Sequence, residues 1–315
     1  IFEAKKRPFN DPLIVHVTDF IAAESVVSFD ATPKGSMART IYQQLTAKFW
    51  PGPLTIVYRA HTSIPALITA NTGFIGVRSP SHVIARRLLL ASQLPIAAPS
   101  ANRFGHVSPT TAQHVLDDLG ASELAILDGG AGTCEIGVES TVCKIDEEAN
   151  QIILLRAGAV TRSQILQVLS SIRGAQHWNV AFASSVKRTA EDSPGMFTRH
   201  YAPDVSTSLV KHGDGSFSPN SEQKNKLRGC AVIDFGGKLK HLSSLVKSYV
   251  DLSETSNANA AATKLFSTLR KVEAQQLADR TSSVCPSPSI LLVDLAKEAT
   301  EDEMVAALYD RMSRA

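Results

Sequence analysis

Pro99-Ser100-Ala101-Asn102 closes the short apolar run at 94–98 and precedes a helix start, a junction at which strands often present side chains to a ligand. If Ser100 and Asn102 are extended, period-two geometry puts both on one face, with the small Ala101 between them. A pair of the same form stands near the start, in Lys5-Lys6-Arg7, where Pro8 biases Arg7 toward an extended backbone. Lys5 and Arg7 then also point one way. The elements on either side of these two pairs decide the fold.

Residues 13–17 (LIVHV) read as a buried strand, a β-branched run just after Pro12 that His16 interrupts. Composition turns loop-like at 31–35, and residues 36–50 then carry a helical stripe through Met37, Ile41, Leu45 and Phe49. Pro51-Gly52-Pro53 stops that helix, and 54–58 and 74–78 are the next strands. Ser81 is expected to cap a helix whose apolar face includes Ile84, Leu88 and Leu89. Beyond Asn102, Ser108-Pro109 reads as an N-cap with proline at the first helical position, and Gly120 ends that helix. Residues 124–127 are expected as a strand, 128–132 as a loop, and 141–145 with 152–156 as a hairpin. Thr161 and Gln164 form a capping box ahead of Ile165, Val168, Leu169 and Ile172. Strands and helices follow one another in both orders, so the first domain is α/β or α+β rather than a strict βαβ alternation.

Around 175–193 the pattern fades into Ser, Thr and charged residues, as in a linker, ending at Pro194-Gly195. Residues 213–226 read as loop, 230–235 as a strand backed by Gly236-Gly237, 261–277 as a helix with Leu265, Leu269 and Val272 inward, and 289–294 as a strand. Thr300 with Glu303 is expected to cap the last helix. Strand, helix, strand, helix suggests a small doubly wound second domain. The expected division is therefore 1–175, a linker at 176–205, and 206–315.

A length of 315 residues suits two domains, and a formal net charge of +2 supplies no global field for nucleic acid, so any anion site must be local. Cys134, Cys143, Cys230 and Cys285 have neither C-x-x-C nor C-x-x-H spacing, which argues against zinc and for reduced thiols in a cytosol-like compartment. No apolar run approaches the ~20 residues that cross a bilayer. The chain starts at Ile1 rather than Met and without a signal-type leader, so a missing upstream segment is expected.

The ordered segments KKRP-x-x-DPLIVHV (from Lys5), FWPGPLT (from Phe49), GVRSPSH (from Gly76), PIAAPSAN (from Pro95), SPTTAQHV (from Ser108), LDGG (from Leu127), GVESTV (from Gly137) and LRAGAVT (from Leu155) resemble those of threonylcarbamoyl-AMP synthases with the YrdC-type fold. PGM-x-x-RHYAP (from Pro194) resembles the linker of two-domain members, and the tail resembles their Rossmann-like C-terminal domain. The resemblance implies a twisted mixed sheet with flanking helices in an N-terminally incomplete catalytic domain, followed by the smaller Rossmann-like domain. It also implies a reaction, in which L-threonine, bicarbonate and ATP give threonylcarbamoyl-AMP and pyrophosphate for the tRNA threonylcarbamoyl transferase machinery. ATP is a substrate there and Mg²⁺ is expected on its phosphates, with no carboxylate identifying the metal ligands. A cytoplasmic location, with room for a mitochondrial pool, goes with that role.

The family's catalytic tetrad falls on Lys5, Arg7, Ser100 and Asn102. The resemblance assigns ATP to Arg7, Asp11, Ser100, Ser108, Arg156 and Tyr201, threonine to His16, Arg78, Ala98 and Ser140, and a lid to His200 and Tyr201. Each has a plainer reading when taken alone. Lys5 and Arg7 would be a solvated basic turn, His16 a core histidine, Arg78 a surface ion-pair partner, Ser108 a helix cap and Ser140 a strand hydroxyl. Tyr201-Ala202-Pro203 would be a turn with an aromatic anchor, and Asp128 is a turn residue. The chemistry favours the sharper reading because an anionic carbamate must meet the α-phosphorus of ATP, which calls for cations and positioning rather than a protein nucleophile.

The chain departs from the family pattern in four places. The P-T-E-T-x-Y-G-L segment that usually precedes K-x-R is absent, Asp11 replaces a common Asn, Phe74 replaces a small hydroxyl residue, and Ala157 replaces the proline of L-R-P-G. Two alternatives follow. One is a catalytically impaired or regulatory descendant. The other is a double-stranded RNA- or tRNA-binding module of the same fold, disfavoured by near-neutral charge and the lack of interleaved aromatics.

Overall fold

The β-branched run after Pro12 does form a strand, the first of eleven among the described residues, which are 1–29, 36–130, 136–183, 200–212, 220–278 and 289–315 of a computed structural model. The elements in chain order are α1 (Phe2–Lys5), β1 (Ile14–His16), α2 (Phe20–Ala23), α3 (Met37–Phe49), β2 (Leu54–Arg59), β3 (Phe74–Arg78), α4 (Val83–Ser92), β4 (Ile96–Ala97), α5 (Ala112–Leu119), β5 (Thr141–Asp146), β6 (Gln151–Arg156), α6 (Arg162–Ser171) and β7 (Asn179–Phe182). They continue with β8 (Ser206–Val210), α7 (Ser221–Leu227), β9 (Cys230–Asp234), β10 (Ser248–Asp251), α8 (Ala258–Ala278), β11 (Ser289–Val293) and α9 (Glu303–Arg314). They pack as two units, Ile1–Ala101 with Glu139–Phe197, and Asn102–Val138 with Thr198–Ala315. This division by packing cuts across the chain order, because 102–138 folds with the C-terminal part.

The first unit holds a seven-stranded mixed sheet in the order β4-β1-β3-β2-β5-β6-β7. Strands β1 and β3, β2 and β5, and β6 and β7 run parallel, while the other neighbours are antiparallel. Period-two alternation splits its side chains between two faces. Leu54, Ile56 and Tyr58 of β2, Ile75 and Val77 of β3 and Ile152 and Leu154 of β6 join Ile41, Tyr42 and Leu45 of α3 and Ile165, Val168 and Leu169 of α6 in one core. The intervening residues Val57, Val142, Ile153 and Leu155 form a smaller cluster with Phe74 on the other face. Ser36 caps α3 by accepting from Arg39 N, and the capping box of Thr161 and Gln164 opens α6.

The second unit holds a four-stranded, all-parallel sheet in the order β10-β9-β11-β8. Helix α8 buries Leu265, Leu269 and Val272 against it, and α9 buries Val305 and Leu308. The doubly wound expectation for this part is met by a parallel sheet with helices.

Several local expectations give way to other structure. No side chain caps α4, whose N-cap is His82 rather than Ser81, and of its expected apolar face only Leu89 is buried. The cap of α5 is Thr111, three residues beyond Ser108, because the Thr111 hydroxyl accepts from His114 N. Residues 124–127 form no strand and lie largely exposed, and among the described residues no strand pairs with their backbone. Residues 175–183 are not linker: Trp178, Val180 and Ala183 are buried and β7 extends the sheet. Within the expected loop at 213–226, Asn220 and Gln223 make a second capping box that starts α7, and β8 and β10 are strands the pattern did not reveal. Asp302, not Thr300, caps α9 by accepting from Met304 N and Val305 N. The expectations for 31–35 and 194–199 lie outside the described residues, as does part of 128–132. Cys143 and Cys230 are free thiols, burial pushing Cys143 up to about 12. No described helix is long and apolar enough to cross a membrane.

Candidate functional site

The sheet face opposite the α3–α6 core gathers the polar side chains of the first unit. His16 and Arg78 are register partners across the parallel pair β1–β3, so their side chains leave the sheet on the same side. Gly76, two residues before Arg78 on the same face and paired with Ile14, is where an added Cβ would sit 3.3 Å from Thr55 Cγ2 and 3.5 Å from Ile14 Cγ1. Its missing side chain keeps that face open. Burial and the Arg78 charge hold His16 down at about 4 against a weaker upward pull from the Ile96 backbone, so its imidazole is neutral at pH 7. Arg78 Nε donates to Gly52 O at 2.9 Å, which fixes the guanidinium beside the turn after Pro51.

Ser140 is buried just ahead of β5. Its hydroxyl lies 2.8 Å from Thr55 Oγ1 and accepts from Arg156 Nη2 at 3.1 Å, while Arg156 Nε donates to Ser140 O at 3.1 Å. Gly158 makes the close approach possible, since a Cβ there would fall 2.5 Å from Thr141 N and 2.7 Å from Glu139 O. Ser140 and Arg156 are thus one structural feature, and Thr55 is its third member. The sequence reading missed Thr55, whose signal was its place as the polar residue inside the apolar strand 54–58. The Phe74 ring receives Lys144 Nζ 3.9 Å from its centre, a cation–π contact on the same face.

Lys5 and Ser100 come together, with Lys5 Nζ donating to Ser100 O at 2.7 Å. The extended geometry expected for Lys5 and Arg7 is absent, and Ser100 and Asn102 lie beyond the end of β4. Lys5 ends helix α1, and Lys6 adopts the left-handed conformation (φ 53°) that closes its C-terminus, with Arg7 N donating to Phe2 O. The Arg7 fork turns into its own loop: Nε donates to Asp11 O at 3.1 Å and Nη2 to Pro12 O at 2.7 Å, and Nη2 pairs with Asp11 Oδ2 at 2.8 Å. Arg7 and Asp11 are both buried, so Asp11 serves as the counter-charge of Arg7. Strand β4 ends at Ala97, although Ala98 N still reaches Ile14 O at 3.1 Å, and Ala98 and Ser100 are exposed.

Asn102, Ser108, His200 and Tyr201 belong to the second unit. Asn102 is buried, and its amide donates to Arg103 O at 2.8 Å and His106 O at 2.9 Å, an arrangement that fixes which end of the amide is nitrogen. Ser108 is buried. Tyr201 is fully buried at a positive φ of 63°, its ring 5.4 Å from Phe266 and 4.1 Å from His200, so it is a core side chain of this unit. The rest of the P-G-M-x-x-R signature lies outside the described residues.

The loop after Asn102 carries a buried charge cluster that no sequence spacing announced. His106 Nδ1 lies 2.8 Å from Asp118 Oδ1 and Nε2 3.0 Å from Glu273 Oε1, while Arg270 Nη2 donates to Asp118 Oδ2 at 2.6 Å. Burial pulls the His106 pKa down, but the hydrogen bonds to Asp118 and Glu273 and the Glu273 charge outweigh it and the opposing Arg270, raising it to about 9. Asp118 is held below the carboxylate range: burial acts upward, and the hydrogen bonds and charges of His106 and Arg270 overcome it. Among the described residues His106, Asp204 and Glu273 could in principle approach one metal ion. They do not suit magnesium, which prefers oxygen ligands. The imidazole is occupied on both nitrogens, and Asp204 Oδ2 is paired with Arg103 Nη2 at 2.6 Å.

With this geometry in hand, comparison places the chain among known proteins. The Sua5/YciO/YrdC family model, described as telomere recombination, matches residues 1–158, and the model of the threonylcarbamoyl-AMP synthase C-terminal domain matches residues 160–315. A threonylcarbamoyl-AMP synthase of Pyrococcus abyssi is 40% identical over 211 residues, covering 67% of this chain and 57% of that protein. One from Bacillus subtilis is 38% identical over 204 residues, covering 64% and 54%. The chain therefore spans little more than half the length of these relatives. The crystal structure of P. abyssi Sua5 complexed with L-threonine superposes with a TM-score of 0.73 at 28% identity, covering all of this chain and 82% of that one. The chain belongs to the Sua5/YciO/YrdC family, in the two-domain form that carries the threonylcarbamoyl-AMP synthase C-terminal domain.

Proposed function

We propose that this chain is the greater part of an L-threonylcarbamoyladenylate synthase. The observation that carries the reading is the open sheet face, where neutral His16 and the Arg78 guanidinium stand in register beside the Ser140–Thr55–Arg156 cluster. That face suits an amino acid: Arg78 offers a planar fork to its carboxylate, a match lysine would not reproduce. Ser140 and the backbone near Ala98 complete the threonine subsite.

The threonine amine condenses with bicarbonate, the new N–C bond replacing a C–O bond as water leaves, and an oxygen of the resulting carbamate attacks the α-phosphorus of ATP. The new bond is carbamate oxygen to phosphorus, the broken bond joins the α-phosphorus to its bridging oxygen, and pyrophosphate leaves. Two anions must be brought together, so Lys5, held on the Ser100 carbonyl, and Arg7 supply positive charge, with Ser100 and Asn102 orienting the groups. Ser108, Arg156, Asp11 and Tyr201 complete the nucleotide assignment, Asp11 acting through Arg7 and Tyr201 through packing. His200 and Tyr201 as a lid over the labile product rest on their place in the R-H-Y-A-P signature. Magnesium entering with ATP would offset the negative charge of its phosphates, with no residue of this chain assigned as its ligand. The product feeds tRNA threonylcarbamoyl transfer in the cytoplasm; of the division 1–175, 176–205 and 206–315, the catalytic part takes in 176–183 through β7, and 102–138 packs with the C-terminal part.

The test is pyrophosphate release from ATP. Release that requires both threonine and bicarbonate, from this chain or from one extended upstream, is the expected result. No dependent release from either form would remove the reading.

A further inference from the structure

The segment 103–107 is anchored almost residue by residue to partners far away in the sequence. His106 stands between two carboxylates, with Nδ1 at 2.8 and 3.1 Å from the Asp118 oxygens and Nε2 at 3.0 and 3.1 Å from those of Glu273. Arg270, one helical turn before Glu273 on α8, donates to Asp118 at 3.0 and 2.6 Å and to Val107 O. Glu273 Oε1 also accepts from Asp204 N at 2.5 Å, and Ala202 N donates to Gly105 O at 2.8 Å. One face of α8 thus grips the loop that begins with Asn102 and the stretch that follows Tyr201. Asn102 itself is held by the carbonyls of that loop, on Arg103 and His106.

Two cations and two anions, each with a nearly buried side chain, balance one another in this cluster. Well-packed apolar residues would often stabilise such a position as well, because each buried charge first loses its hydration. What the ionic version adds is direction, since a guanidinium or imidazolium between carboxylates accepts only a narrow range of placements. A loop that bears ligand-binding groups benefits from that narrowness.

We infer that His106, Asp118, Arg270 and Glu273 form a positioning cluster through which α8 of the C-terminal domain fixes the loop carrying Asn102 and Ser108, and so sets affinity for ATP while leaving affinity for threonine alone. This rests on the synthase reading for the identity of the ligand. It gives the C-terminal domain a defined task in the reaction without placing any of the four residues on substrate.

The experiment compares wild type, Glu273→Gln and Arg270→Met, with Asp118→Asn as a milder variant should either fail to fold. Amide hydrogen exchange over 102–108 and 201–204 is read together with the KM for ATP and direct threonine binding. The expected result is faster exchange in both segments, a KM for ATP raised about tenfold, and threonine affinity within twofold of wild type. Partial recovery of the ATP KM in Arg270→Lys supports the same conclusion. Unchanged exchange, or equal losses of ATP and threonine affinity, overturns the inference. Wild-type chain that releases no pyrophosphate overturns the synthase reading and the ATP part with it, whereas unchanged exchange in variants of an active chain overturns the coupling alone.

Discussion

Raising the pH should loosen the second unit through one side chain, His106. In the folded state its pKa stands at about 9 against an ordinary 6.5: burial opposes protonation, and the bonds to Asp118 and Glu273 more than compensate. At about 1.4 kcal/mol per pH unit, that difference is worth about 3 kcal/mol. The folded pKa is raised, so the stabilisation is present in full below pH 6.5 and is lost as pH rises to about 9. Asp118 and Glu273 share the same bonds, so the energy is counted once. Histidine NMR titration, with His106→Gln to assign the signal among nine histidines, should find one ring titrating near 9. Urea melts followed by NMR signals of the second unit should show His106→Gln costing about 3 kcal/mol at pH 6 and much less at pH 9.5. Trp50 and Trp178 both lie in the first unit, so tryptophan fluorescence supplies the control. A titration at or below 6.5, or a cost that does not change with pH, would refute the argument.

Gly158→Ala should be far more damaging than its size suggests, because the new Cβ would strike Thr141 N at 2.5 Å. A stability loss of about 1–3 kcal/mol and weaker threonine binding, by thermal melt and calorimetry, are expected; wild-type values for both would show that Ser140 is not held this way. Asp11→Ala removes a carboxylate 2.8 Å from the buried Arg7 guanidinium and should cost about 3 kcal/mol in denaturant melts. Tyr201→Phe keeps the ring packed on Phe266 and should fold normally, whereas Tyr201→Ala should cost about 3–5 kcal/mol; equal stability of the two would deny the ring its core role. His16, held down at about 4 by burial and by Arg78, refuses a proton that the unfolded chain accepts. Its contribution should therefore fade as pH drops from 6.5 toward 4, and on the proposed placement of the threonine carboxylate near Arg78, added threonine should raise the His16 midpoint in an NMR titration.

Legibility followed the range of the interaction. Strand β1, helices α3 and α6 and the hairpin β5–β6 were readable because their signals lie within a few residues: β-branched runs, a capping serine, a capping box, a polar turn. Strands β7, β8 and β10 were not, since their short, mixed patterns become strands only when a neighbour supplies the hydrogen bonds. Of the K-x-R and S-x-N pairs, Lys5 meets the Ser100 carbonyl in the fold. The reason given for the spacing was wrong in part: α1 and its left-handed closure, not an extended strand, orient Lys5 and Arg7.

The sequence by itself determined the class of fold and the order of the motifs, because periodicity, caps and motif spacing are local and survive in one dimension. Only the tertiary structure decided that 102–138 packs with the C-terminal part, that Asp11 is spent on Arg7, and that Arg270 and Glu273 reach back to His106 and Asp118. Charged residues more than 150 positions apart leave no spacing to read. They become partners only when burial removes water and makes each one's nearest opposite charge matter.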